Sequence, residues 1–305
     1  MNNIIRIATR NSPLALEQAK MVTKVLSKHN KVEIISMSSS GDKVSPKKFK
    51  AHGGKGLFLK ELEESLLSKK TDIAVHSLKD VPADLDKKFS IITISNRENP
   101  CDALVSKKYK TLESMPKNAT IGTSSPRRIA MLKNISKDFK IVEIRGNIQT
   151  RLKKMNEEKI DGIILAAAGL HRMSLKEHIA EYISTDNFTP SAGQGVLCIE
   201  YLKGNRRMEE ILNKFKIESV EDCAREERSF VKKIGGDCMS PIGVHAVIKR
   251  QTMKIEAYVS NIAGDQHIKS SYIVDSKKSI GHAGTYMANL FIKQGAKKLL
   301  GSNKK

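Results

Sequence analysis

The sequence predicts an α/β protein made of two parallel-sheet domains and a smaller C-terminal α+β domain. At roughly 150 residues per domain, 305 residues indicate more than one domain. Strand-like and helix-like segments alternate in two series, and near Val220 the pattern changes to one helix, several strands and a closing helix. The predicted domains are residues 1–97 with 196–216, residues 98–195, and residues 217–305.

The first series begins with a buried strand and a capped helix. Ser12 precedes that helix as its N-cap, and Pro13 takes the first helical position, where its missing N–H costs little. Residues 41–56 contain glycine and lysine without periodicity, which predicts a long mobile loop and a candidate lid. The predicted elements are a strand Ile4–Ala8, a helix Pro13–Leu26, a strand Val32–Met37, a helix with Phe58, Leu59, Leu62 and Leu66 on one face, and a strand Ile73–Val75.

The second series repeats this alternation, and a different block follows it. The predicted strands of the second series, each running into a helix, are Thr120–Gly122, Ile141–Ile144 and Asp161–Ala166. A strand-like run returns at Val196–Tyr201. The C-terminal block is predicted to hold a helix, the strands Val244–Ile248, Ile255–Val259 and Ser271–Val274, and a last helix at about Ile280–Gln294.

The formal net charge of +21 first suggests nucleic-acid binding. Only 13 of the 54 basic residues are arginine, and the lysines are spread along the chain as on a solvated surface. Aromatic residues make up 5% and tryptophan is absent, so few side chains are available to stack on nucleic-acid bases. No nucleic-acid-binding motif is visible. Several arginines fall between Arg127 and Arg172, and arginine grips carboxylates and phosphates through two parallel hydrogen bonds. We therefore expect a small acidic ligand and no nucleic-acid partner.

The cysteines and histidines lack the spacing of a metal site or a disulfide framework. Cys101, Cys198, Cys223 and Cys238 form no CxxC pair, which indicates free thiols, and without an HExxH motif no metal is expected. No apolar run approaches the roughly 20 residues of a membrane helix. The N-terminal segment has no secretory signal pattern. These features predict a cytoplasmic protein without a membrane partner.

Polar residues cluster where predicted strands end. The segments are ATRNS after the first strand, HSLKD after Val75, GTSSPRR after Ile121 and RGN after Ile144. In open α/β sheets, ligands bind at the carboxyl ends of strands, on loops and helix N-termini. Each segment alone is explained by an ordinary capped turn. Four together, all basic or rich in hydroxyls, predict one ligand-binding cleft.

Eight segments closely resemble the porphobilinogen deaminase (hydroxymethylbilane synthase) family, in the family's order and at family-like spacing. They are RIATRNSPLALEQA, GGKGLFLKELE, DIAVHSLKDVP, IGTSSPRR, IRGNIQTRL, DGIILAAAGLHR, PSAGQGVLCIE and GGDCMSPIG. A chance match to one segment is plausible, but a chance match to eight is not. The resemblance implies a monomer with two α/β domains similar to periplasmic binding proteins around a cleft, plus the small C-terminal domain.

The resemblance also implies a transferase of porphyrin and haem biosynthesis. The family joins four porphobilinogen units head to tail, with loss of ammonia at each step, to give the linear tetrapyrrole hydroxymethylbilane. It builds this product on a dipyrromethane cofactor, which a cysteine thioether holds to the protein. Uroporphyrinogen-III synthase is an expected transient partner.

Arginines are the residues expected to bind the carboxylates of these pyrroles. Each ring carries an acetate and a propionate, so the growing product is a polyanion. Arg151 lies on a predicted helix and is alternatively a solvated surface charge. Arg127 and Arg128 begin a helix, where cations oppose the helix dipole unless an anion is present. The positions that match the family's carboxylate-binding arginines are Arg10, Arg127, Arg128, Arg145, Arg151 and Arg172.

Asp80 and Cys238 match the two residues that carry the family's chemistry. A carboxylate at Asp80 can stabilise the cation left when ammonia departs and can assist proton transfer at the pyrrole. The alternative is that Asp80 caps a turn or pairs with Lys79. Cys238 matches the cofactor-bearing cysteine and is flanked by glycine and proline, which predict an accessible loop. The family more often has Gly-Gly before this cysteine, and Asp237, which stands there, disfavours the thiolate.

The other matching positions lie in loops, where a serine or glycine often serves only the turn. For the cofactor, the resemblance gives Ser77, Lys79, Asp80, Thr123, Ser124, Ser125, Arg127, Arg128, Arg145 and Gly146, besides Cys238. For the substrate, it gives Arg10, Ser12, Lys55, Arg145, Arg151, Ala168, Arg172 and Gln194.

Two other functions compete with the transferase. One is a non-catalytic module that binds small anions with the fold of a periplasmic binding protein. The missing signal pattern and the presence of both Asp80 and Cys238 argue against it. The other is nucleic-acid binding, against which the scarcity of aromatic residues and the lack of a motif argue.

Overall fold

The computed structural model describes residues 4–38, 59–237, 239–275 and 281–301. The chain divides into two compact units, Met1–Arg97 with Val196–Glu221, and Glu98–Gly195 with Asp222–Lys305. The described residues form two five-stranded sheets and one three-stranded sheet, with helices between the strands. The predicted α/β class with a small C-terminal α+β part is confirmed. The division into three domains stays a prediction.

The first unit is built on a five-stranded sheet in the order β2-β1-β3-β10-β4. Its core is made of strand side chains such as Ile7, Val75 and Ile199 with Val22 and Leu26 from the first helix. The elements are β1 (Ile4–Arg10), α1 (Pro13–Leu26), β2 (Lys31–Met37), α2 (Lys60–Leu67), β3 (Ile73–Ser77), β4 (Phe89–Thr93), β10 (Leu197–Leu202) and α6 (Arg206–Asn213).

Helix α1 begins as the sequence predicts. The Ala15 N–H donates to Ser12 Oγ at 3.3 Å, and Pro13 occupies the first turn. Ala15, Ala19, Val22 and Leu26 recur at helical spacing and are buried, so the helix packs its apolar face on the sheet. The position of the polar turn at residues 10–12 is thus fixed by the burial of the helix that follows it.

The second unit contains another five-stranded sheet, in the order β7-β6-β8-β5-β9. Two of its helices have side-chain caps, because Arg128 N–H donates to Ser125 Oγ at 3.5 Å and Thr150 N–H to Asn147 Oδ1 at 2.8 Å. The elements are β5 (Asp102–Val105), β6 (Thr120–Gly122), α3 (Pro126–Ile135), β7 (Lys140–Val142), α4 (Ile148–Glu157), β8 (Gly162–Ala166), α5 (Ala167–Arg172) and β9 (Ile179–Ile183).

Both sheets are mixed, so the expectation of purely parallel sheets is wrong. Strand β10 is antiparallel to β3 and β4, and β5 is antiparallel to β8 and β9. Each of these two strands is the first strand in the chain after it passes from one unit into the other. It therefore enters its sheet without the crossover helix that a parallel connection requires. Strands β4, β5 and β9 are also absent from the elements that the sequence predicted.

The C-terminal block packs within the second unit. Its elements are α7 (Glu218–Ile234), β11 (Ile242–Lys249), β12 (Thr252–Ser260), β13 (His267–Asp275), α8 (Ala283–Lys293) and α9 (Ala296–Leu299). Gly264, with φ +79°, turns the chain between β12 and β13, and a Cβ there would lie 2.8 Å from the Ala130 backbone of α3. The fully buried Glu227 of α7 accepts the N–H groups of Gly193 and Ala246, each at 2.7 Å. The three-stranded sheet is thereby tied to α3 and to the segment that follows β9.

None of the described helices is long and apolar enough to cross a membrane. Nor do three or more His, Cys, Asp or Glu side chains converge, within the described ranges, in a group that could hold a metal ion.

Candidate functional site

Five predicted site residues lie at the carboxyl edge of the first sheet. Because β1 and β3 are parallel neighbours, their C-terminal ends meet at the same edge. Arg10 ends β1, Ser77 ends β3, and a 3-10 turn, Leu78–Asp80, follows at once. We call this group the first cluster; it consists of Arg10, Ser12, Ser77, Lys79 and Asp80.

The two serines of the first cluster hold local structure. Ser12 caps α1, as described above. Gln18 of the same helix is buried, and its Nε2 donates to Ser77 Oγ at 2.7 Å. This bond ties the end of β3 to α1, so Ser77 fixes the point from which the 3-10 turn leaves the sheet.

Asp80 is exposed at the end of a firmly held turn. Leu78 is buried and its N–H donates to Val196 O at 3.0 Å, while Val81 N–H closes the turn onto Leu78 O at 3.1 Å. The Asp80 carboxylate has no hydrogen-bond or ion-pair partner among the described residues. The turn therefore presents a carboxylate that neither caps it nor pairs with Lys79.

The residue that precedes Ser77 in β3, His76, forms a buried pair with a carboxylate. His76 Nε2 lies 2.9 Å from Oε2 of Glu200 on β10, and both side chains are almost completely buried. Glu63 of α2 faces the same pair. Burial and repulsion from Glu200 raise the pKa of Glu63 to about 7, with His76 opposing and Asp86 adding to the rise. No pattern in the sequence indicated this group.

Eleven further predicted residues belong to the second unit, most of them at the carboxyl edge of its sheet. Strands β6, β7 and β8 are parallel, so the loops that follow them share that edge. We call this group the second cluster; it consists of Thr123, Ser124, Ser125, Arg127, Arg128, Arg145, Gly146, Arg151, Ala168, Arg172 and Gln194.

Arg127 and Arg128 are buried against a carboxylate that the sequence did not single out, Asp102. Strand β5 runs antiparallel to β8, so its first residue, Asp102, stands opposite Ala166 at the carboxyl edge. Arg128 Nε and Nη2 donate to Asp102 Oδ1 at 3.0 and 2.7 Å, and Arg127 Nη1 lies 2.7 Å from Oδ2. Burial alone would raise the pKa of Asp102, but the two guanidiniums outweigh it and hold that pKa well below its usual value.

Backbone carbonyls and one amide complete this arginine pair. Arg128 Nη1 donates to Ile164 O at 2.9 Å and Arg127 Nη1 to Thr189 O at 2.8 Å. Gln194 is fully buried, and its Nε2 donates to Asp102 Oδ1 at 3.0 Å and to Pro100 O at 2.7 Å. Gln194 was assigned to the substrate by resemblance, whereas here its amide supports Asp102.

Arg145 and Arg151 lie in the more open part of the second cluster. Arg145 Nε donates to Glu143 Oε1 at 2.5 Å, and Arg151 Nε donates to the Gly146 carbonyl at 2.8 Å. Gly146 adopts φ +115°, and a Cβ there would lie 2.7 Å from Thr150 Cγ2, so only glycine fits this turn. Both guanidiniums retain partly exposed surface beside that turn.

Arg172 ends α5 and lies close to the segment that follows β9. Its Nη2 donates to Gly195 O at 2.7 Å. Burial lowers the pKa of Arg172 to about 10, and Glu98 opposes this shift. The side chain stays cationic at neutral pH in a largely desolvated position, which is suited to a carboxylate partner.

Two predicted residues, Lys55 and Cys238, lie outside the described residues. Beside Cys238, the Asp237 carboxylate accepts Met239 N–H at 3.0 Å and the Ser240 hydroxyl at 2.9 Å. Asp237 therefore holds Met239 and Ser240, the two described residues that follow the cysteine. This gives a structural reason for the acid that departs from the family's usual glycine.

The second cluster is rich in guanidiniums, which suits a polycarboxylate. Arg127 and Arg128 share the carboxylate of Asp102, and Arg145, Arg151 and Arg172 belong to the same cluster. Guanidiniums bind carboxylates through charge-assisted hydrogen bonds. Asp102 supplies an anion to the two cations at the start of α3, which would otherwise oppose the helix dipole.

Comparisons with known proteins identify similar chains. A family model described as "Porphobilinogen deaminase, dipyromethane cofactor binding domain" matches residues 5–210, and one described as "Porphobilinogen deaminase, C-terminal domain" matches residues 222–288. The chain is 44% identical over 269 residues to the porphobilinogen deaminase of Legionella pneumophila (strain Paris), covering 87% of each protein. It is 42% identical over 302 residues to that of Campylobacter hominis, covering 98% of this chain and 97% of the relative. A solved nutrient binding protein from Burkholderia cenocepacia bound to methionine aligns at 15% identity and a TM-score of 0.44, over 75% of this chain and 95% of that one.

Proposed function

Since the chain belongs to the porphobilinogen deaminase family, we propose that its two clusters divide the work of that family's reaction between them. The chain is a transferase of tetrapyrrole biosynthesis: it joins four porphobilinogen molecules head to tail, with loss of ammonia, into hydroxymethylbilane. It contains the family's dipyrromethane-cofactor-binding domain over residues 5–210. The roles of individual residues given below are our assignments.

We assign the carboxylates of the dipyrromethane mainly to the second cluster. When bound, this group supplies the anchored pyrrole end to which the first porphobilinogen is joined. Arg127 and Arg128, which Asp102 holds in place, are the main anchors, and Cys238 carries the thioether. The residues assigned to the group are Ser77, Lys79, Asp80, Thr123, Ser124, Ser125, Arg127, Arg128, Arg145, Gly146 and Cys238.

We assign the carboxylates of the incoming porphobilinogen to the more open cations. Arg145 and Arg151 flank the Gly146 turn with partly exposed guanidiniums, and Arg172 remains cationic despite its burial. These positions suit ligands that must bind and leave repeatedly. The residues assigned to the substrate are Arg10, Ser12, Lys55, Arg145, Arg151, Ala168 and Arg172, whereas the buried Gln194 is assigned to the support of Asp102.

Asp80 is assigned as the catalytic residue, and its exposed carboxylate on a fixed turn is the observation that carries this assignment. When the C–N bond of porphobilinogen breaks, the electron pair leaves with ammonia and a cation remains on the substrate. The Asp80 carboxylate stabilises that cation. After the new C–C bond forms, the pyrrole ring carbon that made this bond loses its proton to Asp80. Asp80 then passes the proton to the released ammonia or to water. The carboxylate is thus regenerated for the next condensation.

Intact-mass measurement with a turnover assay tests this function. The purified chain should carry an adduct of about two pyrrole rings and should form hydroxymethylbilane from porphobilinogen. Cys238→Ser should lose both properties. Cys101→Ser is the matched control, because Cys101 is a free and partly exposed thiol, and it should keep the adduct. A wild-type chain that carries no adduct and forms no bilane would overturn the proposal.

We also propose that the enzyme is a cytoplasmic monomer and that it passes its product to uroporphyrinogen-III synthase. Family membership is the support for this proposal. Light scattering after size-exclusion chromatography should give a mass near 33.9 kDa, and twice that mass would contradict the monomer.

A further inference from the structure

We propose that Asp102 and Gln194 are positioning residues that hold the guanidiniums of Arg127 and Arg128 ready for a carboxylate of the cofactor. Neither residue needs to touch the cofactor for this role. The inference rests on the proposed function, because it assumes that the arginine pair binds the dipyrromethane carboxylates.

Asp102 orients both arginines through one side chain. Its Oδ1 accepts two N–H groups of Arg128, at 3.0 and 2.7 Å, and its Oδ2 lies 2.7 Å from Arg127 Nη1. A long arginine side chain loses up to about 2 kcal/mol of rotamer entropy when it is fixed. Here that ordering is completed when the protein folds, so it does not weaken ligand binding afterwards.

Backbone contacts remove the freedom that remains. The Ile164 carbonyl accepts from Arg128 Nη1, whereas Asp102 contacts Nε and Nη2 of that guanidinium. The Thr189 carbonyl accepts from Arg127 Nη1, the same atom that lies beside Asp102 Oδ2. Arg127 Nε also donates to Ser191 Oγ at 3.0 Å. The pair is therefore placed by three chain segments, at β8, at residues 189–191 and at the start of β5.

Gln194 fixes Asp102 without changing the charge of the group. Its Nε2 bridges Asp102 Oδ1 and the Pro100 carbonyl, and it is fully buried. The neighbouring Gly193 N–H is held by Glu227 at 2.7 Å, so the Gln194 segment is itself anchored to α7. A neutral amide here adds a hydrogen bond to Asp102 without adding a charge.

The rate of cofactor loading is the measurement that separates positioning from a merely structural role. Apoprotein of each variant, purified from cells that make no porphobilinogen, is mixed with porphobilinogen, and the adduct is followed by intact mass. Asp102→Asn should slow loading of the folded protein about 10-fold or more, and Gln194→Met about 3-fold. Asp161→Asn is the matched control in the same unit: this carboxylate also holds a cation, Lys108 at 3.0 Å, and should load at the wild-type rate.

Each outcome bears on the inference. If Asp102→Asn and Gln194→Met only lower the melting temperature while the folded protein loads at the wild-type rate, the positioning role is overturned. If Asp102→Asn does not fold, Gln194→Met decides, because it keeps the ion pairs and removes only the amide. A wild-type chain that never acquires an adduct overturns the proposed function itself, and the positioning role with it.

Discussion

Asp80 and Asp102 stand at equivalent edges of the two five-stranded sheets but in opposite environments. Both sheets contain four parallel strands and one antiparallel strand in the fourth position, and both aspartates lie at the carboxyl edge. Asp80 is exposed on a 3-10 turn, whereas Asp102 is 0% exposed and bound by two guanidiniums. The topology places an acid at the edge, and burial with its partners decides whether that acid is accessible or held by the protein.

The antiparallel strands of the two sheets, β10 and β5, each carry a buried carboxylate with different partners. Strand β10 carries the buried Glu200 and β5 carries the buried Asp102, so each sheet receives a buried carboxylate from its antiparallel strand. Glu200 faces His76 and helps to raise the pKa of Glu63 to about 7, whereas Asp102 faces two arginines, which stay charged. The buried carboxylate of the first sheet therefore has a neighbour that changes charge near neutral pH, whereas that of the second sheet faces permanent charges.

Asp80→Asn is the change with the largest expected effect. Loss of the proton-transferring carboxylate should lower turnover by about 10² to 10⁴-fold, measured as hydroxymethylbilane formed per loaded chain. The melting temperature should stay within about 2 °C of wild type, because the side chain supports no other group.

Asp102→Asn should instead destabilise the protein. The free energy of unfolding should fall by about 3–5 kcal/mol, because the substitution leaves two buried guanidiniums without their carboxylate.

Asp86→Asn serves as the control for Asp80, since Asp86 is an exposed acid in the same loop region and should keep normal turnover. A near-normal rate for Asp80→Asn would show that another group moves the proton. A large loss of stability would show that Asp80 supports the turn, and the contrast with Asp102 would disappear.

The sequence predicted what local signals encode and missed what the topology assembles. Ser12 and Ser125 were predictable as N-caps because a cap acts within three residues. The HSLKD loop was predictable as a polar segment after a buried strand. The bond between Asp102 and Arg128 joins residues 26 positions apart, and that between His76 and Glu200 joins residues 124 apart. Such pairs depend on antiparallel strands whose insertion leaves no periodic signal.

Family resemblance identified Arg127 and Arg128 but not their partner. An acid at the start of the buried strand DALV was the available clue, because a fully buried aspartate requires a cation. Strand β5 itself was not predicted, because its four residues are too few to show alternation. The polar clusters at the ends of the strands could thus be predicted from the sequence, while the ion pairs within them could not.

Glu63→Gln gives the smallest expected effect, and it tests the pH sensitivity of the first sheet. The pKa of Glu63 is raised from 4.5 to about 7 by burial and by Glu200, with His76 opposing and Asp86 adding. The folded state therefore binds a proton more tightly than the unfolded state, so stability from this group falls as pH rises from about 4.5 to about 7. Glutamine mimics the protonated form and should remove that fall.

Melting temperatures at pH 4.5, 6 and 8 measure this effect. The variant should match wild type at the lowest pH and exceed it by about 2 °C at the highest, where wild-type Glu63 is ionised beside Glu200. Glu64→Gln is the control, because Glu64 is exposed on the same helix and pairs only with Lys60 at 3.9 Å, so its curve should run parallel to wild type. If the curve of Glu63→Gln also runs parallel, the buried group around Glu200 does not respond to pH. The two sheets would then differ in the partners of their carboxylates but not in how those carboxylates respond to pH.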